Sequence, residues 1–276
     1  MRLAIAALAS CLLFACGSSS AASLGRGSTI PVSAPKVTNV SGAVAASDAW
    51  SGTVNITADT VVNPGVTITV QPGTTINVGS QPALTIFIKG AFDIEGTSVE
   101  KVIVQPSVVN GRWNRFVVVA GGRLTARYMV MSGGGFNVVG GAVTLIDSAM
   151  SRSSGDLLEG SGSVDVEYSS IGLEPGNADT THCDMHFNPG PNQLKVTHSN
   201  ISTAVYGMMF YGGGGADFTY DNWFSNQINV ETLAQFAVSG DFSHGWFSRG
   251  APSGRGITLQ NPSAARLPVG QAGPRP

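Results

Sequence analysis

The sequence predicts an all-β fold, a single domain in which short strands stack in parallel, coil upon coil, as a solenoid. Three observations lead there. Apolar residues alternate with polar ones at a period of two, as in Val66, Ile68 and Val70 with Thr67 and Thr69 between them, and no segment holds helical spacing for the ten or so positions a helix needs. The 36 glycines recur between these runs as punctuation. A position-specific pattern also returns five times in the middle of the chain, the mark of a repeat architecture.

The five copies are LTARYMVMS, VTLIDSAMS, VDVEYSSIG, LKVTHSNIS and DFTYDNWFS, anchored at Met131, Met150, Ile171, Ile201 and Phe224 with steps of 19, 21, 30 and 23 residues. Seven and five residues before the anchors stand Leu124 and Ala126, Val143 and Leu145, Val164 and Val166, Leu194 and Val196, then Asp217 and Thr219, which depart from the pattern. Three residues before each anchor is Tyr128, Asp147, Tyr168, His198 or Asp221, and a second short apolar strand follows every copy. Short strands at a period near twenty describe one coil of a stacked solenoid. Earlier segments read as further rungs, with Val66, Leu84 and Val102 set eighteen apart.

This pattern, with the Pro-Gly turn in SGTVNITADTVVNPGVTITVQPGTTI, resembles the right-handed parallel β-helix, or pectate-lyase-like, superfamily over roughly residues 45 to 245. The resemblance implies the fold and says little about function, because that solenoid carries lyases, hydrolases, adhesins and scaffolds. It also implies polar ladders at the coil bends. Stacked about 4.8 Å apart, His198 and Asp221 are expected to pair. Raw solenoid ends need covers. The Trp-containing segment before Gly52 is expected at one end, and GDFSHGWFSRG, with Phe242, Trp246 and Phe247, at the other.

The N-terminus MRLAIAALASCLLFAC has one positive charge and an apolar run too short to span a bilayer, where about 18 residues are needed. Leu13, Phe14, Ala15 and Cys16 resemble the bacterial lipobox, which implies a signal peptide over 1–15 and lipid attachment at Cys16. Residues 16–36 read as a tether, 37–250 as the solenoid with its terminal cap, and 251–276 as a disordered tail. With Cys11 removed and Cys16 acylated, Cys183 has no partner for a disulfide. Gly17 after the lipidated cysteine favours the outer membrane, so the expected partners are the membrane and a polysaccharide or another envelope protein. A net charge of −2 with 12% charged residues offers no basic stripe for nucleic acid, and no cofactor is expected.

The densest polar stretch is THCDMHF, Thr181 to Phe187. Alternation on a strand places His182, Asp184 and His186 outward, and Cys183, Met185 and Phe187 inside. No metal is expected on this strand alone, because α-carbons four residues apart lie about 13 Å from one another; the alternative is His182 with Asp184, or Asp184 with His186, completed by a group from a neighbouring rung. The step of 30 residues adds GLEPGNADTT and NPGPNQ around this strand, and inserted loops often build a solenoid's binding face. Candidate ligand contacts are therefore His182, Asp184, His186, Tyr206 and Tyr211. No catalytic residue is assigned. A lyase or hydrolase would have to use these groups or the His198 and Asp221 pair, since Asp147 and Asp221 stand too far apart for paired glycosidase carboxylates. Arg112, Arg115, Arg123 and Arg127, with Trp113, form the one basic concentration and read as solvated edge charges, with contact to an acidic glycan as the alternative.

Overall fold

A computed structural model describes residues 36–172, 182–190 and 192–276. The signal segment, Cys16, the tether up to residue 35 and most of GLEPGNADTT lie outside the described residues. Among the described residues every regular element is a strand, and every pairing between named strands is parallel. One sheet of ten strands and one of seventeen enclose a common apolar core, an arrangement consistent with a parallel β-solenoid.

The pairing falls into three ladders. One runs from Asp48–Trp50 through Thr67–Val70, Ala91–Glu95, Arg123–Arg127, Ala142–Ile146, Ser163–Glu167 and Gln193–Thr197 to Ile257–Thr258. The other two belong to the larger sheet, joined where the ten-residue strand Thr53–Val62 pairs with both Thr75–Val78 and Ile86–Ile88. Alternation then does the work of a core: Leu124, Val143, Val164 and Leu194 point inward in register, as do Ala126, Leu145, Val166 and Val196. Burying each such aliphatic side chain contributes roughly 1.5–3 kcal/mol relative to exposure. Phe92, Phe116 and Phe136 stack through successive coils at centroid distances of 5.6 and 5.4 Å, and Phe218 stacks on Phe242 at 4.8 Å.

The repeat is as expected for four copies, with Met131 opposite Met150, Met150 opposite Ile171, and Ile171 opposite Ile201. The fifth is displaced by one residue. Ile201 faces Trp223, and Lys195 faces Asp217, so Ala216 and Phe218 take the inward positions and Phe224 pairs with Ser202. The apparent departure at Asp217 and Thr219 comes from aligning the copy on the wrong aromatic. Val66, Leu84 and Val102 likewise border three different ladders, so their spacing of eighteen is not a coil repeat.

At the bend before the Met150 ladder, the backbone enters the left-handed region at Tyr128, Asp147, Tyr168, His198, Tyr220 and His244, with φ of 46° to 63°. The next residue turns inward, where its N–H would have no strand partner. A serine column satisfies it: Ser148 Oγ accepts from Met129 N–H, Ser169 Oγ from Ser148 N–H, and Ser199 Oγ from Ser169 N–H, each at 3.1 Å. The three hydroxyls donate to the carbonyls of Ile146, Glu167 and Thr197. On the flank, side-chain amides form a second column, from Gln105 to Asn77 to Asn55 to Asn39, each at 3.0 Å.

Both expected covers are coils. Trp50 packs edge-on to Phe92 at 5.4 Å within the first ladder. Phe242 is fully buried inside a late rung, while Trp246 and Phe247 sit half-buried on a strand paired to Asn222–Phe224. The C-terminal segment differs from the expected disorder. Ile257–Thr258 extends the ten-stranded sheet, Leu267 exchanges two hydrogen bonds with the Asn222 amide, Gly273 N–H donates to the His198 carbonyl, and Arg275 makes a two-pronged contact with Asp147 while lying over Tyr168. Pro and Gly give the segment little apolar periodicity, and backbone polar groups, with Arg266 over the Phe224 ring and Arg275 on Asp147, hold it instead.

Ser169→Ala deletes one rung of the serine column and strands the buried Ser148 N–H. We expect a loss of about 1–3 kcal/mol in a denaturant titration, against less than about 0.5 kcal/mol for Thr144→Ala on the outward face.

Candidate functional site

The strand Cys183–Phe187 lies between Leu158–Gly160 and Tyr206–Phe210, with Met185 opposite Leu158 and Met208, and His186 opposite Glu159 and Met209. Met185 and Phe187 enter the core as expected. The first half of the strand departs from the expected burial, since Asp184 is buried as well as Cys183. His182 occupies a bend just before the strand. Cys183 is buried, yet it stands outside the apolar cluster, with Sγ 3.1 Å from His182 Nδ1. Asp184, expected outward, is fully buried beside Gly172 at the adjacent corner, where φ is +94° and a Cβ would fall 1.7 Å from the Ser202 carbonyl oxygen.

Asp156, two residues before Leu158–Gly160, occupies the centre of the site. Its Oδ1 accepts the Cys183 N–H at 3.1 Å and lies 3.4 Å from His182 Nδ1, while Oδ2 lies 2.8 Å from His186 Nδ1. Ser153 fixes the approach to it by donating to the Asp156 carbonyl and accepting Gly155 N–H. Burial alone would raise this carboxyl, but the hydrogen bonds from His186 and Cys183 and the charge on His186 outweigh it and hold the group below its ordinary value. Burial, with the Asp156 carboxylate alongside, pushes the Cys183 thiol well up.

Aromatic rings frame both imidazoles. Tyr206 meets His182 edge-on at 5.3 Å, and Tyr211 meets His186 edge-on at 5.6 Å. Tyr211 leans on Phe236 at 5.0 Å and donates its hydroxyl to Glu231; burial and that carboxylate push the phenol up. Of the five predicted contacts, His182, His186, Tyr206 and Tyr211 are therefore brought together and Asp184 is not. Asp156 escaped the sequence reading because it lies in an irregular loop between copies. The only signal for it is the pairing of Leu158 with Met185, 27 residues on.

Comparison with protein-family models, with curated proteins and with solved structures finds no match.

The other expected pair does not form. His198 Nδ1 donates to the Gln271 carbonyl at 2.8 Å, and its ring is sandwiched between Tyr168 at 4.7 Å and Tyr220 at 4.9 Å. Because the fifth copy is displaced by one residue, Tyr220 takes the corner and Asp221 takes the inward place that serines hold elsewhere, accepting Ser199 N–H at 2.7 Å. Trp113 is fully buried and donates to the Ser132 carbonyl, so it is no surface platform for a glycan. Around it, Arg123 pairs with Asp93 and Arg115 with Glu159, exposed or half-exposed contacts of small energetic weight.

The cluster around Asp156 lacks the layout of a nucleophilic triad. A base that relays a proton uses one ring nitrogen toward the nucleophile and the other toward the carboxylate. Here Cys183 Sγ and Asp156 Oδ1 both approach Nδ1 of His182. The arrangement suits holding a ligand that takes up several donors at one point.

Burial raises the Asp221 carboxyl well above its ordinary value, and Oδ2 has no hydrogen-bond partner among the described residues. A carboxyl raised on folding costs stability as pH climbs past the unfolded value, because only the unfolded chain ionises freely. Asp221→Ser continues the serine column and removes that cost. We expect the variant to exceed the parent in stability by on the order of 1 kcal/mol at pH 8, with the difference shrinking toward pH 4, as read by denaturant titration across pH.

Proposed function

We propose that this chain is a lipid-anchored cell-envelope protein, a right-handed parallel β-helix of the pectate-lyase-like kind, that binds a glycan or another envelope component without catalysis of its own. The lipobox resemblance at Leu13 to Cys16 supports the anchor, and Gly17 supports the outer membrane as its destination. A lipid anchor of more than one acyl chain holds a protein on a membrane without a spanning segment.

The observation that carries the binding reading is the row of rings and carboxylates on adjacent coils: His182, His186, Tyr206, Tyr211 and Phe236, with Asp156 and Glu231 between them. Aromatic faces beside carboxylates suit sugar rings, which present apolar C–H faces and hydroxyl donors together. The rival reading, a polysaccharide lyase or glycoside hydrolase, has in its favour the Asp156 and His186 pair at 2.8 Å, which has the reach for acid–base chemistry. Against it, the groups that gather at Asp156 lack the layout of a proton relay, since Cys183 Sγ and Asp156 Oδ1 both approach Nδ1 of His182, and His198 and Asp221 lie in different environments.

Two measurements test this. Cys16→Ser should move the protein from the membrane to the soluble fraction and abolish labelling by a fatty-acid probe. Incubation with a panel of uronic-acid polysaccharides should give retention in affinity electrophoresis, weakened at least about tenfold by Tyr206→Ala, with no new unsaturated ends or reducing sugars. Turnover lost in His186→Ala would establish the enzyme instead.

A further inference from the structure

Three side chains from two adjacent coils bring metal-binding atoms together, and a fourth borders them. One donor atom each from Asp156, Cys183 and His186 lie within 4.8 Å of one another. Nδ1 of His182 borders them, 3.1 Å from Cys183 Sγ and 3.4 Å from Asp156 Oδ1. A tetrahedral ion with bonds of about 2.0 Å to nitrogen or oxygen and 2.3 Å to sulfur sets its ligand atoms about 3.3–3.7 Å apart. The observed spacings straddle that range for the three clustered donors, and rotation of the exposed His182 ring would supply the fourth. The distance of about 13 Å expected between the histidine α-carbons on a straight strand does not prevent this, because the chain bends at His182 and Asp156 reaches in from the preceding coil.

We propose that Asp156, His182, Cys183 and His186 bind one divalent transition-metal ion of the zinc class. The donor set selects the metal: a thiolate and two imidazoles favour zinc or cobalt(II) over magnesium or calcium, which take oxygen ligands. On binding, the Cys183 thiol releases its proton to solvent and its sulfur lone pair forms the bond to the metal. Each imidazole binds through Nδ1 with its ring proton on Nε2. One carboxylate and one thiolate balance the ion's two positive charges, so the half-buried site carries no net charge, the condition under which buried ions are tolerated. Four protein ligands close the coordination sphere, which makes the site structural. It clamps the loop before Leu158–Gly160 to the strand Cys183–Phe187. Tyr206 and Tyr211, edge-on to the two imidazoles, hold the rings in place. The inference stands on this geometry and does not rest on the lipid anchor or the glycan reading.

The test uses the full-length chain in detergent, stripped with a chelator and titrated with cobalt(II) and then zinc. We expect one cobalt(II) per chain, a thiolate-to-cobalt charge-transfer absorption that zinc displaces, and a higher thermal midpoint with zinc. Cys183→Ser should abolish the absorption. His186→Gln, at a half-buried position, should weaken zinc binding by at least the roughly tenfold typical of a disturbed metal site, while His244→Gln leaves it unchanged. Circular dichroism checks that each variant keeps its β signature, and His186→Gln decides the matter if Cys183→Ser does not fold. Failure to bind cobalt(II) stoichiometrically, an absorption that persists in Cys183→Ser and so belongs to Cys11 or Cys16, or equal zinc affinity in His186→Gln would each overturn the proposal.

Discussion

Every coil of this domain must hand its backbone N–H and C=O groups to the coils on either side, because a strand buried on one face has no water to bond there. Parallel pairing at about 4.8 Å meets that demand and fixes the register. Once the register is fixed, like side chains fall into columns, and a column is judged by its worst member. This is why Leu124, Val143, Val164 and Leu194 are all aliphatic, and why the inward corner is serine in three successive coils. The serine hydroxyl accepts the one N–H that the turn leaves without a strand partner, so the corner is closed by side chains where the sheet cannot close it.

The same constraint builds the candidate site. Asp156 and Cys183 are 27 residues apart, but pairing of Leu158–Gly160 with Cys183–Phe187 makes them neighbours. His182, at the bend just before the strand, brings its Nδ1 to 3.1 Å from Cys183 Sγ. A carboxylate fed by a backbone N–H and two imidazoles is well satisfied, and the cost of its burial is offset by those contacts. At the corner before the Met150 ladder, the column Tyr168, His198, Tyr220 and His244 uses the same stacking, and the C-terminal segment lies against part of it.

Apolar periodicity is local, so it made the inward positions of the regular coils legible: Met131, Met150, Ile171 and Ile201 occupy one column as the repeat predicts. Where two large apolar residues are adjacent, as at Trp223 and Phe224, periodicity cannot choose between them, and the fifth copy slips by one. That slip alone turned Asp221 from a buried carboxyl into an apparent partner for His198. Asp156 was illegible for a different reason, since its role depends on register between coils and not on its own neighbours in sequence. The burial of Asp184 was not legible because alternation sets which way a residue points and not how deeply neighbouring chain covers it. The C-terminal segment was misread because hydrogen bonds from Leu267 and Gly273 and the contact of Arg275 with Asp147 leave no trace in composition.

Disulfide mapping on the outward face tests the register most directly. Thr144 and Asp165 face each other across adjacent coils, so their α-carbons stand about 4.8 Å apart, within the 4.4–6.8 Å span of a disulfide. In a chain also carrying Cys183→Ser, the pair Thr144→Cys with Asp165→Cys should oxidise within one molecule. Thr144→Cys with Glu167→Cys, at about 8 Å on the diagonal, should remain reduced. Ready oxidation of the diagonal pair, or none of the facing pair, would contradict the stacked-coil account.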